Sequence, residues 1–163
     1  MKEVTKILES TTKVRFQDCD PFNHLNNAAY LNYFMNHRED ELINNYEIDI
    51  YKMGRKEGKS WVVGSNQIAY LRPAFLMEDI VMQSQLLHYS PSKIFVEMRM
   101  YNKNKTELKS IMWSTFVHFN LLNQKTEIHS EAFMDLFESI KIPLKETTFE
   151  ERIKVIKGQT VSI

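Results

Sequence analysis

The chain has 163 residues, of which 43% are hydrophobic and 26% are charged, the proportions of one folded domain with its own core. Its 21 basic residues balance 21 acidic residues. This balance argues against broad binding to nucleic acid or to an anionic membrane. No segment approaches the run of roughly 18 apolar residues that crosses a bilayer, so we expect no membrane partner.

Cysteine content and the N-terminal sequence predict the compartment. The single Cys19 excludes an internal disulfide, and the segment MKEVTKILEST lacks the apolar core of a signal peptide. We therefore expect a cytoplasmic protein. With only 4 Gly and 4 Pro and no low-complexity linker, residues 1–163 are predicted to form a single domain.

The first part of the chain predicts one strand and one long helix. Alternating apolar residues predict a strand over residues 7–17. Asn26 or Asn27 can cap a helix that ends near Asn45. Its apolar residues leave no wide polar face in the first three turns, so we expect it to be well buried. Residues 46–60 are mixed and polar, and we interpret them as a helix end followed by a loop.

Strands dominate the second part. Alternation predicts strands over residues 61–71, 80–89, 94–101 and 111–119, with a hairpin turn at 102–105. The last strand carries an apolar row that one chain has difficulty covering: Ile111, Trp113, Thr115, Val117 and Phe119. Ser130 is the predicted N-cap of an amphipathic helix through Ile140, and the charged tail over 143–163 contains a short helix near Phe149–Ile156. A mainly antiparallel sheet packed on one long helix is an α+β fold.

The chemical groups are concentrated in the stretch Val14–Arg38, VRFQDCDPFNHLNNAAYLNYFMNHR. A carboxylate at Asp20 and an imidazole at His24 precede a helix N-terminus, where unpaired backbone N–H groups favour an oxyanion. An acid, a histidine and an oxyanion-binding helix start are the parts required to hydrolyse an acyl compound.

This stretch resembles the signature of the hotdog-fold acyl-CoA thioesterases, the 4-hydroxybenzoyl-CoA thioesterase family. A second similar patch is Ile68–Ala74 with Asp79, and the resemblance covers about residues 8–140. It implies a hotdog fold, in which an antiparallel sheet of about five strands wraps around a long central helix. The implied reaction is hydrolysis of an acyl-CoA to a carboxylic acid and CoA. The implied assembly is a homodimer or homotetramer with active sites between subunits.

The resemblance also implies roles for individual residues. The family's essential carboxylate matches Asp20, either as general base or as nucleophile, and Asp18 is then a structural or orienting acid. The family's oxyanion donor matches the backbone N–H of Asn27, whereas His24 assists. Asn23 stands where many relatives have glycine, and asparagine tolerates the left-handed conformation better than most residues.

Substrate contacts are expected from two regions. Asn26 caps the helix and can orient water through its amide, and Tyr30 is a core aromatic that we expect to line the substrate pocket rather than to act as a catalyst. In the family, the turn that here holds Ser90, Ser92 and Lys93 lies near the CoA pyrophosphate. Hydroxyls and a cation suit a phosphate.

Several other readings of these residues are weaker. Cys19 lies between two acids that raise its pKa, so we do not expect a nucleophile. Asp18, Asp20 and His24 are suitable ligand types, but the other histidines are scattered, so we predict no metal. CoA is part of the substrate, and no separate cofactor is predicted. Two alternatives stay open: a hotdog hydratase or dehydratase acting on acyl thioesters, and a non-catalytic acyl-CoA-binding protein.

Overall fold

The structure is a computed structural model that describes residues 3–160; residues 1–2 and 161–163 of the predicted domain lie outside the described part. The described strands are β1 (Ile7–Lys13), β2 (Lys59–Tyr70), β3 (Asp79–Tyr89), β4 (Lys93–Asn102), β5 (Leu108–Asn120) and β6 (Lys125–Thr126). The described helices are α1 (Tyr30–Tyr46), α2 (Ile50–Glu57), α3 (Glu131–Ile140) and α4 (Phe149–Thr160). All paired strands are antiparallel, in the order β1-β3-β4-β5-β2, with β6 beside β5.

Alternation along the strands divides the sheet into two faces. Met98 of β4 and Met112 of β5 are fully buried and belong to the same core cluster as Phe34 of α1. Their odd-numbered neighbours face away from this helix. The curled sheet around one long helix confirms the predicted α+β hotdog fold, and β2 to β5 match the four predicted strands closely.

Only one face of α1 is buried in the single chain. The buried residues are Tyr30, Phe34, His37 and Arg38, which share a face of a 3.6-residue helix. Leu31 on the other side stays 39% exposed. The prediction of a well-buried helix is therefore correct for the sheet-facing side and wrong for the opposite side.

Two local predictions need correction. The first strand ends at Lys13 rather than residue 17, because Phe16–Asp18 form a 3₁₀ turn. The predicted loop over 46–60 contains α2, which begins where the Asp49 carboxylate accepts hydrogen bonds from the N–H groups of residues 51 and 52 at 3.0 and 2.9 Å. An eight-residue helix offers too few apolar positions for a clear periodicity.

The predicted charged tail folds back onto the outer face of the sheet. Ser130 caps α3 as predicted, by accepting a hydrogen bond from the N–H of Phe133 at 3.3 Å. Beyond it, Arg152 of α4 donates to both oxygens of the fully buried Glu97, at 2.8 and 2.9 Å. Arg99 completes the pairing of Glu97 at 2.5 Å. Burial alone would raise the pKa of Glu97, but these contacts hold it below its usual range.

The same segment covers part of the apolar row on β5. Ile111 is fully buried, and the ring of Trp113 packs against Phe149 with 5.5 Å between centroids. The prediction that one chain has difficulty covering this row is wrong at these two positions, because Ile111 is buried within the single chain and Phe149 of the tail packs on Trp113.

We expect Arg152→Met to lower the free energy of unfolding by about 1.5–3 kcal/mol, because it removes charge-assisted hydrogen bonds to a buried carboxylate. Urea denaturation measures the change. Arg55→Met, at an exposed arginine of α2, is the matched control and should stay within about 0.5 kcal/mol of wild type. Equal stabilities of the two variants would contradict the anchoring of α4 through Glu97.

Candidate active site

Backbone hydrogen bonds tie the acid-containing loop to the sheet. The N–H of Leu25 donates to the carbonyl of Ala74 at 2.7 Å, and the N–H of Leu76 donates to the carbonyl of Asn23 at 2.9 Å. Asn23 itself has φ 63°, the left-handed conformation expected where relatives carry glycine. The loop therefore has one fixed position relative to the end of β2 and the start of β3.

Asp20 closes a tight turn with its own side chain. Its Oδ1 accepts hydrogen bonds from the backbone N–H groups of Phe22 at 2.8 Å and His24 at 3.1 Å. Its Oδ2 has no partner among residues 3–160. One carboxylate oxygen thus fixes the side chain, and the other is left for a ligand or a water.

Asp18 is engaged elsewhere. Its Oδ2 accepts a 2.7 Å hydrogen bond from the hydroxyl of Tyr33. Burial and this bond together raise the pKa of Tyr33 to about 12, so the phenol stays protonated and remains the donor. Asp18 therefore makes the kind of structural contact that the sequence predicts for it.

The ring of His24 packs edge-on against Phe75, with 5.2 Å between ring centroids. Within the described residues its imidazole makes no hydrogen bond, and the contact with Asp20 runs through the His24 backbone. Any joint action of the two side chains on a water must therefore arise because both line the same pocket.

The helix start has the predicted cap. The side-chain oxygen of Asn26 accepts a hydrogen bond from the N–H of Ala28 at 3.0 Å, and a 3₁₀ turn over Asn27–Ala29 leads into α1. The backbone N–H of Asn27 donates to no group among residues 3–160. It is the kind of orphan donor that binds an anion at a helix N-terminus.

An open pocket of about 240 Å³ brings four of the predicted residues together. Its wall contains Asp20, His24, Asn27 and Tyr30, together with Tyr70 and Arg72. Tyr30 is buried, its ring lies edge-on to Tyr70, and the Tyr70 hydroxyl donates to the carbonyl of Asn27 at 3.0 Å. Sequence reasoning missed Tyr70 and Arg72 as site residues, although both lie in the second patch that resembles the family.

The turn with Ser90, Ser92 and Lys93 is not in this pocket. It follows β3, whose first residue lies beside the acid loop and whose 11 residues span roughly 33 Å. Within one chain, the predicted phosphate contacts and the predicted acid therefore lie at opposite ends of the sheet.

Two buried histidines hold that turn. The backbone N–H of His129 donates to the carbonyl of Pro91 at 2.7 Å, and the backbone N–H of His118 donates to the carbonyl of Ser92 at 2.8 Å. The Nε2 of His129 accepts a 3.0 Å hydrogen bond from Trp61. Burial and the neighbouring His118 lower the pKa of His129, so its ring is neutral and able to accept.

The structure also describes the surroundings of the Cys19 thiol. Burial, followed by the charges of Asp20 and Asp18, raises the pKa of the Cys19 thiol, which makes it a poor nucleophile. Among residues 3–160, no group of three or more His, Cys, Asp and Glu residues is arranged to hold a metal ion. No helix in the same range is long and apolar enough to cross a bilayer.

The sequence of the chain matches a known protein family over most of its length. The sequence model of the Thioesterase-like superfamily matches residues 14–154. The match extends beyond residue 140, the predicted limit of the resemblance, and includes the first half of α4. A comparison with curated proteins finds no match.

Solved structures share the fold at low sequence identity. YbaW, a probable thioesterase from Escherichia coli, is 24% identical with a TM-score of 0.70, over 83% of this chain and 99% of its own. Slr0204, a 1,4-dihydroxy-2-naphthoyl-CoA thioesterase from Synechocystis, is 10% identical with a TM-score of 0.74, over 84% and 99%. SAV2348 from Staphylococcus aureus, solved in complex with CoA, is 12% identical with a TM-score of 0.75, over 90% and 92%. The chain therefore belongs to the thioesterase-like superfamily, and it is a thioester hydrolase with a hotdog fold.

Proposed function

We propose that the protein hydrolyses an acyl-CoA to a carboxylic acid and CoA in the pocket at the start of α1. The observation that carries the proposal is that the half-free carboxylate of Asp20 and the orphan N–H of Asn27 line one open pocket. An acid beside an oxyanion donor is the arrangement that acyl transfer to water requires.

The thioester carbonyl oxygen accepts a hydrogen bond from the Asn27 N–H, which stabilises the negative charge as the tetrahedral intermediate forms. Asp20 takes a proton from the water that attacks the carbonyl carbon. When the intermediate collapses, the C–S bond breaks, and the proton is transferred to the leaving CoA thiolate. Water and acyl-CoA supply every atom, so the proposed reaction requires no separate cofactor.

A second route fits the same residues. Asp20 attacks the carbonyl directly, CoA leaves, and water hydrolyses the mixed anhydride. Single turnover in ¹⁸O-labelled water tests this route, because the label enters the Asp20 side chain only if a mixed anhydride forms and water attacks its Asp20 carbonyl carbon.

We also propose that the working unit contains at least two chains, paired through β2. This strand is an edge of the sheet, and residues 62–67 are exposed. Val62 and Val63 are 36% and 47% exposed. Its 12 residues contain no proline, and the only charge is at Lys59. A long edge without proline, and with its one charge at the end of the strand, is suited to pair with another strand.

Antiparallel pairing of two β2 strands resolves the separation of the predicted site residues. Tyr70, at one end of β2, contacts Asn27, whereas Lys59, at the other end, pairs with Asn120 near the Ser90–Lys93 turn. In an antiparallel pair, the Lys59 end of one chain lies beside the Tyr70 end of the other. Each pocket then faces the turn from the neighbouring chain, in a homodimer or within a homotetramer.

Asp20→Asn should reduce hydrolysis by on the order of 10²–10⁴, the range for a positioned acid or base, while the nearly isosteric side chain keeps the fold. Thiol release across a panel of acyl-CoAs measures the loss, and it also tests the hydratase and the non-catalytic alternatives. Asp18→Asn is the matched control and should matter much less, because that carboxylate binds Tyr33. Wild-type turnover in Asp20→Asn would show that another group carries the chemistry.

His24→Ala should reduce the rate less than Asp20→Asn does. The double variant should be no slower than Asp20→Asn alone. If the two side chains act together on one water, removal of Asp20 already abolishes their joint contribution to the rate. Steady-state kinetics of the three variants gives the comparison. Fully multiplicative losses would instead place His24 in a separate step.

Lys93→Ala should raise KM for acyl-CoA about 5- to 30-fold with little change in kcat, because a cation on a partly exposed phosphate contributes roughly 1–2 kcal/mol equally in ground and transition states. An acyl-pantetheine thioester, which lacks the diphosphate, is the control substrate. An equal loss with this substrate would show that Lys93 does not contact the phosphates.

Mixing Asp20→Asn chains with Lys93→Ala chains extends this test to the assembly. If each site combines Asp20 of one chain with Lys93 of the other, mixed dimers contain one intact site, and low-KM activity returns. If each site is built within one chain, mixing restores nothing. Sedimentation of a stable monomer of about 19 kDa at micromolar concentration would also contradict the proposed pairing.

A further inference from the structure

The core contains a cation, Arg38, that has no counter-charge within the described part of the chain. Arg38, in the middle of α1, is 5% exposed, and its Cζ lies 3.9 Å from the centroid of the Phe116 ring. Among residues 3–160 its guanidinium makes no hydrogen bond and no ion pair. The neighbouring Glu39 is bonded to the hydroxyl of Tyr51 at 2.7 Å.

Burial has a cost that the fold does not offset at this position. It lowers the pKa of Arg38 to about 10, so the guanidinium remains charged at neutral pH. The other buried charges on the sheet are paired: Glu97 binds two arginines, and Lys109 binds two carboxylates at 3.1 Å. A charge buried without such a partner is destabilising unless a ligand supplies one.

The guanidinium faces a half-open pocket of about 50 Å³ under the second half of α1. Lys6 at its rim adds a second positive charge, and the hydroxyl of Ser84, which has no hydrogen-bond partner within the described part of the chain, adds a donor. The remaining wall is largely apolar and includes Leu86, Phe137 and Ile140.

The guanidinium, the hydroxyl and the apolar wall together determine which class of ligand fits the pocket. A guanidinium binds a carboxylate through two parallel hydrogen bonds. The largely apolar wall favours a ligand that carries a short hydrocarbon chain. The volume holds a few groups of the size of water, which suits a chain of two to four carbons.

We propose that this pocket is a binding site for a short-chain monocarboxylate, with Arg38 holding the carboxylate and Ser84 donating to it. The site is separate from the pocket that contains Asp20 and Asn27, since the two share no lining residue. It rests on the contacts of Arg38 and does not require the proposed hydrolysis, so either proposal can fail without the other.

Calorimetric titration of the full chain with butyrate tests the site, and butyramide serves as the neutral isostere. Butyrate should bind and butyramide should not. Arg38→Met should weaken butyrate binding about 10- to 100-fold, the loss expected for a buried charge-assisted pair. Arg55→Met, at an exposed arginine, is the matched control and should bind butyrate as wild type does.

Two further measurements keep the test decisive. Trp61 lines the pocket, so its fluorescence should respond to butyrate in wild type and in Arg55→Met. Should Arg38→Met fail to fold, Arg38→Lys retains the charge without the two-pronged geometry and should still weaken binding about 10-fold. Absence of butyrate binding to wild type at millimolar concentration, equal binding of butyramide, or unchanged binding after substitution of Arg38 would each overturn the proposal.

Discussion

The backbone hydrogen bonds between residues 23–25 and residues 74–76 are the constraint on which the candidate site depends. They place the turn that holds the Asp20 carboxylate beside the end of β2. The buried side chains of Leu25 and Ala74 lie at the same junction and exclude water from those bonds. Because Tyr30 and Phe34 then direct α1 into the core, the acid, the orphan N–H of Asn27 and the sheet end share one rigid frame.

The sequence predicts the local features of this frame well, because each depends on a short-range rule. Strict alternation identifies the central strands, the side chain of Asn26 caps the helix start, and Asn23 adopts the left-handed conformation that its position requires. The distance between Asp20 and Lys93 could not be predicted, because it depends on strand order and not on any local pattern. The packing of α4 could not be predicted for a similar reason: in the sequence Arg152 is one charge among many, and only the folded sheet brings Glu97 beneath it.

Buried charge is distributed unevenly across the two faces of the sheet. On the outer face, Glu97 receives hydrogen bonds from Arg99, Arg152 and Trp113, so the carboxylate is fully paired and anchors α4. On the inner face, the face of the Phe116 ring is the one partner that the guanidinium of Arg38 has among residues 3–160. A cation–π contact contributes less than the desolvation of a guanidinium costs. The two faces therefore differ: the outer one is closed by paired charges of the chain itself, whereas the inner one holds the guanidinium on which the proposed carboxylate site rests.

The closure of the outer face also limits how a second chain can bind. The segment that carries Phe149 and Arg152 lies over Trp113 and Glu97, so stacking of two sheets through this region would require the displacement of a buried ion pair. At the edge formed by β2, by contrast, the outer backbone groups have no neighbouring strand within the described residues, and Val62 and Val63 are partly exposed. Pairing at that edge leaves α4 undisturbed and adds main-chain hydrogen bonds along the strand. The fold thus favours growth of the sheet at its edge, which is also the arrangement that brings the Ser90–Lys93 turn of one chain towards the Asp20 pocket of the other.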